Sequence, residues 1–240
     1  SNPDLYIQVM AKNSDIDVQS AWLEWTYGWV SWVEDDFTDT DFDFGIMIMD
    51  DNVPAAHMFR MLKYAFAVYD AQGYDLGQVD VQWPADNTEF SSITDEIYVT
   101  TGRQWEEGSY FHELGHHWQH QYTYTPTVDY CNSWCDDGAL DCGHCMWCEE
   151  EQDTAHLEGV AHFLSYLVGK ELHETISPPP AAWRMEEHVN ECTDADDDPC
   201  NCDPYETEGF IFALLEDLAD SENENDTLYV DEWADAADLD

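Results

Sequence analysis

Positive charge is nearly absent from this 240-residue sequence. Only 6 Lys and Arg residues accompany 54 Asp and Glu residues, which gives a formal net charge of -48 at pH 7. Because nucleic acids and anionic membranes attract basic surfaces, this charge argues against both as partners. The acidity favours a surface adapted to salty surroundings or, as the alternative, a surface that recruits calcium or basic substrates.

Long apolar runs are also missing. No stretch of about 18 consecutive apolar residues occurs, so the sequence predicts no membrane-spanning segment. The chain opens with Ser1-Asn2-Pro3, without an initiator Met. It does not begin with the basic segment and apolar stretch of a signal peptide. We therefore expect a secreted or extracytoplasmic protein from which a signal peptide has been removed.

The 8 cysteines are confined to two parts of the chain, residues 131–148 and 192–202. An even number of cysteines in an acidic, extracytoplasmic chain favours pairing in disulfides. The spacing of Cys142, Cys145 and Cys148 around His144 leaves a structural zinc site as the alternative, because thiolates at such intervals can bind zinc.

The hydrophobic share of 44%, with 11 Trp, 13 Tyr and 10 Phe, is sufficient for a packed core. At this length we expect a single α+β domain over residues 1–240. Short apolar runs separated by Asp-rich breaks predict a β-rich segment over residues 1–50, with the runs at 5–10, 21–33 and 44–49.

Apolar residues that recur every three or four positions predict the helices of the chain. These helices cover residues 54–73, about 105–121, 150–172, 185–190 and 206–218. Alternating or β-branched patterns predict strands at 78–83 and 93–100. Two irregular segments complete the organisation, a Cys-rich insert at 129–149 and an acidic, Cys-bearing loop at 192–204.

The predicted helix at about 105–121 contains the motif His112-Glu113-Leu114-Gly115-His116 after a β-prone segment. Residues four apart on a helix lie about 40° from each other around its axis, so both imidazoles can bind one ion. Glu113 is placed to take a proton from a zinc-bound water, whose pKa zinc lowers from about 16 toward about 7. Gly115 allows close packing behind the site. A helix that merely carries histidines is the simpler alternative, since the H-E-x-x-H pattern also arises by chance.

A second helix carries the segment His156-Leu157-Glu158-Gly159-Val160-Ala161-His162-Phe163-Leu164. With the first motif, the chain resembles the gluzincin superfamily of zinc metallopeptidases, in which H-E-x-x-H precedes a helix with a pattern like L-x-E-G-x-A-x-Y-L. The resemblance covers roughly residues 93–218, and His162 and Phe163 depart slightly from the pattern.

The gluzincin resemblance implies a zincin-like catalytic domain: a small N-terminal sheet, then an active-site helix and a helical part that carry the ligands. Substrate would lie extended along the edge strand, here residues 93–100. Residue by residue, His112, His116 and Glu158 match the zinc ligands, and Glu113 matches the general base.

The segment from Pro204 to Phe210 resembles the Y-x-x-G-F stretch of aminopeptidase-like gluzincins, with a spacing one residue longer. The resemblance implies that the hydroxyl of Tyr205 stabilises the oxyanion. The alternative is an aromatic cap at a helix start. Metzincins require Gly and His where this chain has Gln119 and Tyr122, so that family is excluded. His120 stands one turn beyond His116 and is a candidate fourth ligand, with a hydrogen-bond donor to a ligand or a surface residue as the alternatives.

Oxygen ligands suited to Ca2+ are close together in the acidic loop, at Asp194, Asp196, Asp197, Asp198, Asn201 and Asp203. The alternative is a solvated acidic loop. The sequence as a whole predicts a zinc-dependent metallopeptidase acting on a peptide or protein substrate. The alternatives are a zinc hydrolase of another substrate class and a catalytically silent, acidic, secreted binding protein.

Overall fold

A computed structural model of the chain describes residues 6–21, 25–31, 53–123, 152–176 and 208–219. Over these residues the fold is mixed α+β, with small sheets and four helices. The chain divides into two compact units, Ser1–Glu113 and Leu114–Asp240. The coarse α+β class predicted from the sequence is therefore confirmed, and the single-domain organisation stays a prediction.

The main sheet of the first unit is mixed. Its strands are β2 (Ile16–Gln19), β4 (Val79–Ala85), β6 (Glu96–Thr100) and β5 (Glu89–Ser91), in that spatial order. The first three are parallel, and β5 is antiparallel to β6. Since alternate residues of a strand face opposite sides, one face is apolar and fully buried. That face carries Ile16, Val18, Val79, Val81, Ile97 and Val99.

Two further strands, β1 (Gln8–Met10) and β3 (Gly28–Val30), form a separate antiparallel ribbon. Both lie within apolar runs from which the sequence predicted strands. The run at 44–49 lies outside the described residues.

Helix α1 (Pro54–Ala71) follows β3 in the chain, lies within the connection from β2 to its parallel neighbour β4, and packs on β2. Proline suits the first helical position, because the N–H it lacks would have no partner within the helix. The apolar face buries Met58, Leu62 and Ala65 completely. A helical crossover of this kind is what parallel strands need. The predicted helix at 54–73 is confirmed.

The predicted edge strand is wrong. Residues 93–100 supply β6, which lies between β4 and β5 rather than at an edge of the described sheet. Residues 92–95 instead form a turn, in which the Asp95 N–H donates to the Ser91 carbonyl at 2.8 Å and Asp95 adopts φ 59. The turn brings β5 alongside β6, so that β5 takes the edge.

Strand β2 lies in a stretch that the sequence indicated as an Asp-rich break. Its Asp17 is only 2% exposed and forms an ion pair with Lys12. It also accepts hydrogen bonds from Thr26 Oγ1 at 2.6 Å and Gln19 Nε2 at 3.0 Å. A buried carboxylate is tolerated in the strand because these donors replace the water it loses.

The Lys12–Asp17 pair should make stability depend on pH. Burial raises the pKa of Asp17, but the hydrogen bonds from Lys12, Thr26 and Gln19 outweigh this and hold it below 3.8. The same pair raises the pKa of Lys12 above 10.5, mainly through its hydrogen bond to Asp17. The stabilisation is therefore complete between these values. It is lost as pH falls through the lowered pKa of Asp17 or rises through the raised pKa of Lys12.

Lys12→Met should lower the free energy of unfolding at pH 7 by about 1 kcal/mol, because Lys12 is half exposed and solvent screens the pair. Urea unfolding at pH 7 and pH 3 measures the effect, with Lys63→Met on the exposed side of α1 as the control. If Lys12→Met lowered the free energy of unfolding equally at both pH values, the Lys12–Asp17 ion pair would not be the source of the effect.

The remaining helices are α2 (Glu107–Tyr122), α3 (Gln152–Ile176) and α4 (Glu208–Ala219). The helices predicted at 105–121, 150–172 and 206–218 are thus confirmed, with ends shifted by a few residues. In the second unit α3 packs on α4. The buried Phe212 ring lies 6.3 Å from Phe163 and 5.6 Å from Tyr166, centroid to centroid.

Gly159 sets the separation of α3 and α4. A Cβ at this position would lie 2.7 Å from both the Glu208 carbonyl oxygen and Ile211 Cβ. We expect Gly159→Ala to lower the free energy of unfolding by about 1–3 kcal/mol, because this overlap outweighs the better helix propensity of alanine. Chemical denaturation measures it.

Gly102→Ala is the matched control, since its Cβ would meet nothing closer than Thr100 Oγ1 at 3.8 Å. Equal stability of the two variants would show that α3 and α4 do not pack as described.

None of the described helices is both long and apolar enough to cross a membrane. All eight cysteines, the insert at 129–149, the helix expected at 185–190 and the acidic loop at 192–204 lie outside the described residues. Disulfides, a structural zinc and a calcium site therefore stay predictions.

Candidate metal centre

Helix α2 brings three chemically reactive side chains together. The potential ligand atoms of His112, Glu113 and His116 all lie within 4.8 Å of one another. Their exposed fractions are 6%, 8% and 8%, so little water reaches them. Fully buried apolar neighbours, Phe111 and Leu114, fix this face of the helix inward. Polar groups removed from water in this way need a bonding partner or a bound cation.

Glu158 of α3 contacts this group through His116. Its Oε2 lies 3.0 Å from His116 Nε2, although the two residues are 42 positions apart in sequence. Glu158 is only 2% exposed. A carboxylate buried this deeply is costly unless a proton or a cation compensates its charge. The His116 imidazole supplies that compensation here when it carries the proton.

Close approach of α2 and α3 makes the contact possible. A Cβ on Gly115 would lie 3.1 Å from both the Cα and the carbonyl oxygen of Ala161, which is tighter than ordinary packing. The close packing expected at Gly115 is therefore present.

A further contact joins the same two helices. Gln119 Nε2 donates a hydrogen bond to the Leu157 carbonyl oxygen at 2.9 Å. Along α2, residues 115, 116 and 119 meet 161, 158 and 157 of α3, so the helices run in opposite directions at this contact.

Imidazole nitrogens and carboxylate oxygens suit a zinc ion, and the ligand atoms that lie within 4.8 Å of one another are those of His112, Glu113 and His116. Tetrahedral zinc with bonds of about 2.0–2.1 Å places two of its donor atoms about 3.3 Å apart. Glu158 is not a member of that group of three residues, and the 3.0 Å separation of its Oε2 from His116 Nε2 is that of an ordinary hydrogen bond. Two imidazoles and one carboxylate are also a ligand set that catalytic zinc uses, with a position left open for water.

Other residues weighed in the sequence lie apart or are not described. His120 is exposed on the last turn of α2. His117 is fully buried, and its Nε2 lies 3.5 Å from Gln121 Nε2. Tyr205 lies outside the described residues, so its role as an oxyanion donor stays a prediction.

The contact made by Gln119 was not predicted, because this residue entered the sequence argument only to exclude the metzincins. Its signal was present in the spacing, three positions beyond His116 and therefore on a neighbouring part of the same helix face.

Aromatic residues surround the start of α2 in the first unit. The His57 ring lies 5.0 Å from the Trp105 ring, and His57 Nε2 lies 3.7 Å from Glu107 Oε1. Burial lowers the pKa of His57, although the Glu107 carboxylate opposes that shift. Burial also raises the pKa of Tyr110. Both effects keep the His57 imidazole and the Tyr110 hydroxyl neutral near pH 7.

The chain matches no protein-family model, no curated protein sequence and no solved structure. Any functional conclusion therefore rests on the residues and geometry of this chain.

Proposed function

We propose that this protein is a zinc-dependent metallopeptidase of the gluzincin type, with a zincin-like catalytic domain. The observation that supports this most strongly is the buried contact between His116 and Glu158. It joins the H-E-x-x-H helix to a glutamate on a second helix, which is the arrangement that the gluzincin pattern requires.

In the proposed site His112, His116 and Glu158 hold the zinc ion. Zinc, when bound there, polarises the scissile carbonyl and makes water acidic enough to attack at neutral pH. Glu113 lies within reach of both histidines. Its carboxylate accepts the proton of the attacking water and passes it to the departing amine. Glu158 has the lower exposure of the two glutamates, 2% against 8%, which favours it as ligand and Glu113 as base.

An extended peptide is the proposed substrate, and β5 replaces residues 93–100 as the proposed docking edge. Among the described strands, β5 has a neighbour on one side only, and it is antiparallel to β6. A peptide can add to such an edge through main-chain hydrogen bonds. Tyr205 completes the proposal as the donor to the oxyanion. Secretion and a Ca2+ site in the acidic loop belong to the same proposal.

Metal analysis and a peptide-library digest test the proposal. Protein purified without chelator should carry about one zinc ion at this site, and chelator should stop peptide cleavage until zinc is restored. Zinc-dependent cleavage of esters but not peptides would indicate a hydrolase of another substrate class. A metal-free chain without activity would indicate a binding protein.

A further inference from the structure

The side chain of Gln119 forms a hydrogen bond next to Glu158 in the sequence of α3. It is 3% exposed, and its Nε2 donates to the carbonyl oxygen of Leu157, the residue directly before Glu158. A carbonyl inside a helix accepts one N–H from the next turn and retains a second lone pair. Gln119 uses that second lone pair, so a side chain of α2 binds the backbone of α3 beside the carboxylate.

The backbone of Gln119 is itself held in place. Both the N–H and the Oγ1 of Thr123 donate to the Gln119 carbonyl oxygen, at 2.8 and 2.7 Å. On the other side of Glu158, Ala161 lies against Gly115. Glu158 therefore lies between two contacts that fix α3 against α2. A rotation or slide of α3 would move its carboxylate away from His116 Nε2.

We propose that Gln119 is a positioning residue for Glu158, whose amide holds that carboxylate in place to bind the metal. The inference rests on the proposed zinc site. A buried hydrogen bond contributes only about 1 kcal/mol to folding stability. Loss of a residue that orients a metal ligand weakens metal binding about 10- to 100-fold. Measuring both metal affinity and folding stability therefore distinguishes a residue that positions Glu158 from one that only stabilises the fold.

Gln119→Met tests the inference, because methionine has a similar length and no donor. The full chain loaded with zinc is titrated with a chromophoric chelator, and we expect zinc to be held about 10- to 100-fold more weakly than in wild type. Gln152→Met, at the exposed start of α3, is the matched control and should leave zinc affinity unchanged. The visible spectrum of the Co2+-loaded Gln119→Met chain should also change, since it reports ligand geometry.

Gln119→Asn provides a second variant if the Gln119→Met protein does not fold. Its amide is one methylene shorter and cannot reach Leu157, so the same loss of affinity is expected. Wild-type zinc affinity in a folded Gln119 variant, with only its stability reduced, would overturn the inference and leave the proposed function intact. Wild-type protein that binds no zinc would instead overturn the proposed function.

Discussion

Glu113→Gln should retain zinc and fold while peptide hydrolysis falls about 10²- to 10⁴-fold. The amide has the size of the carboxylate but cannot accept the proton of the attacking water. It contributes no ligand in the proposed site, so metal content should not change. Steady-state cleavage of a peptide substrate, with metal analysis of the same sample, measures both quantities. Glu171→Gln, at an exposed position of α3, is the control.

Two results would change the role of Glu113. Activity near that of wild type would remove it as the base. Loss of zinc together with activity would identify Glu113 as a ligand. Its ligand atom lies within 4.8 Å of those of both histidines, so the geometry allows this outcome.

Glu158→Gln should weaken zinc binding at least about tenfold and abolish hydrolysis. The substitution preserves size but replaces the buried carboxylate that lies 3.0 Å from His116 Nε2. Asp153→Asn is the matched control, because Asp153 is exposed in the first turn of the same helix. There an acidic side chain faces water and interacts favourably with the helix dipole.

Zinc titration of the two α3 variants decides the third ligand. If Asp153→Asn lost zinc and Glu158→Gln kept it, an aspartate-liganded site would replace the gluzincin arrangement.

The helices were predictable because their signals are local. Pro54 and the apolar spacing of Met58 and Leu62 specify the start and buried face of α1 without information from elsewhere in the chain. Strand β2 was missed because it is short and has only two apolar residues, Ile16 and Val18, and two of the side chains that make the buried Asp17 tolerable belong to other segments. Strand order was not predictable, since pairing partners lie far apart in sequence and leave no local signal.

The candidate site likewise contains residues that could be predicted from local spacing and contacts that could not. His112 and His116 could be paired from their spacing alone, because one helix holds both. Prediction of Glu158 as a ligand required the gluzincin resemblance, together with the position of this residue among apolar residues at helical spacing. The Gln119 bond to Leu157 depends on how closely α2 and α3 approach at Gly115, and this distance could not be derived from either helix separately.

X-ray absorption at the zinc edge determines whether the ion is bound by His112, His116 and Glu158. In protein never exposed to chelator, we expect nitrogen and oxygen neighbours only, at about 2.0–2.1 Å, with the scattering pattern of two imidazoles. Glu158→Gln should alter this spectrum. A spectrum dominated by sulfur at about 2.3 Å would place the zinc on cysteines and contradict the account.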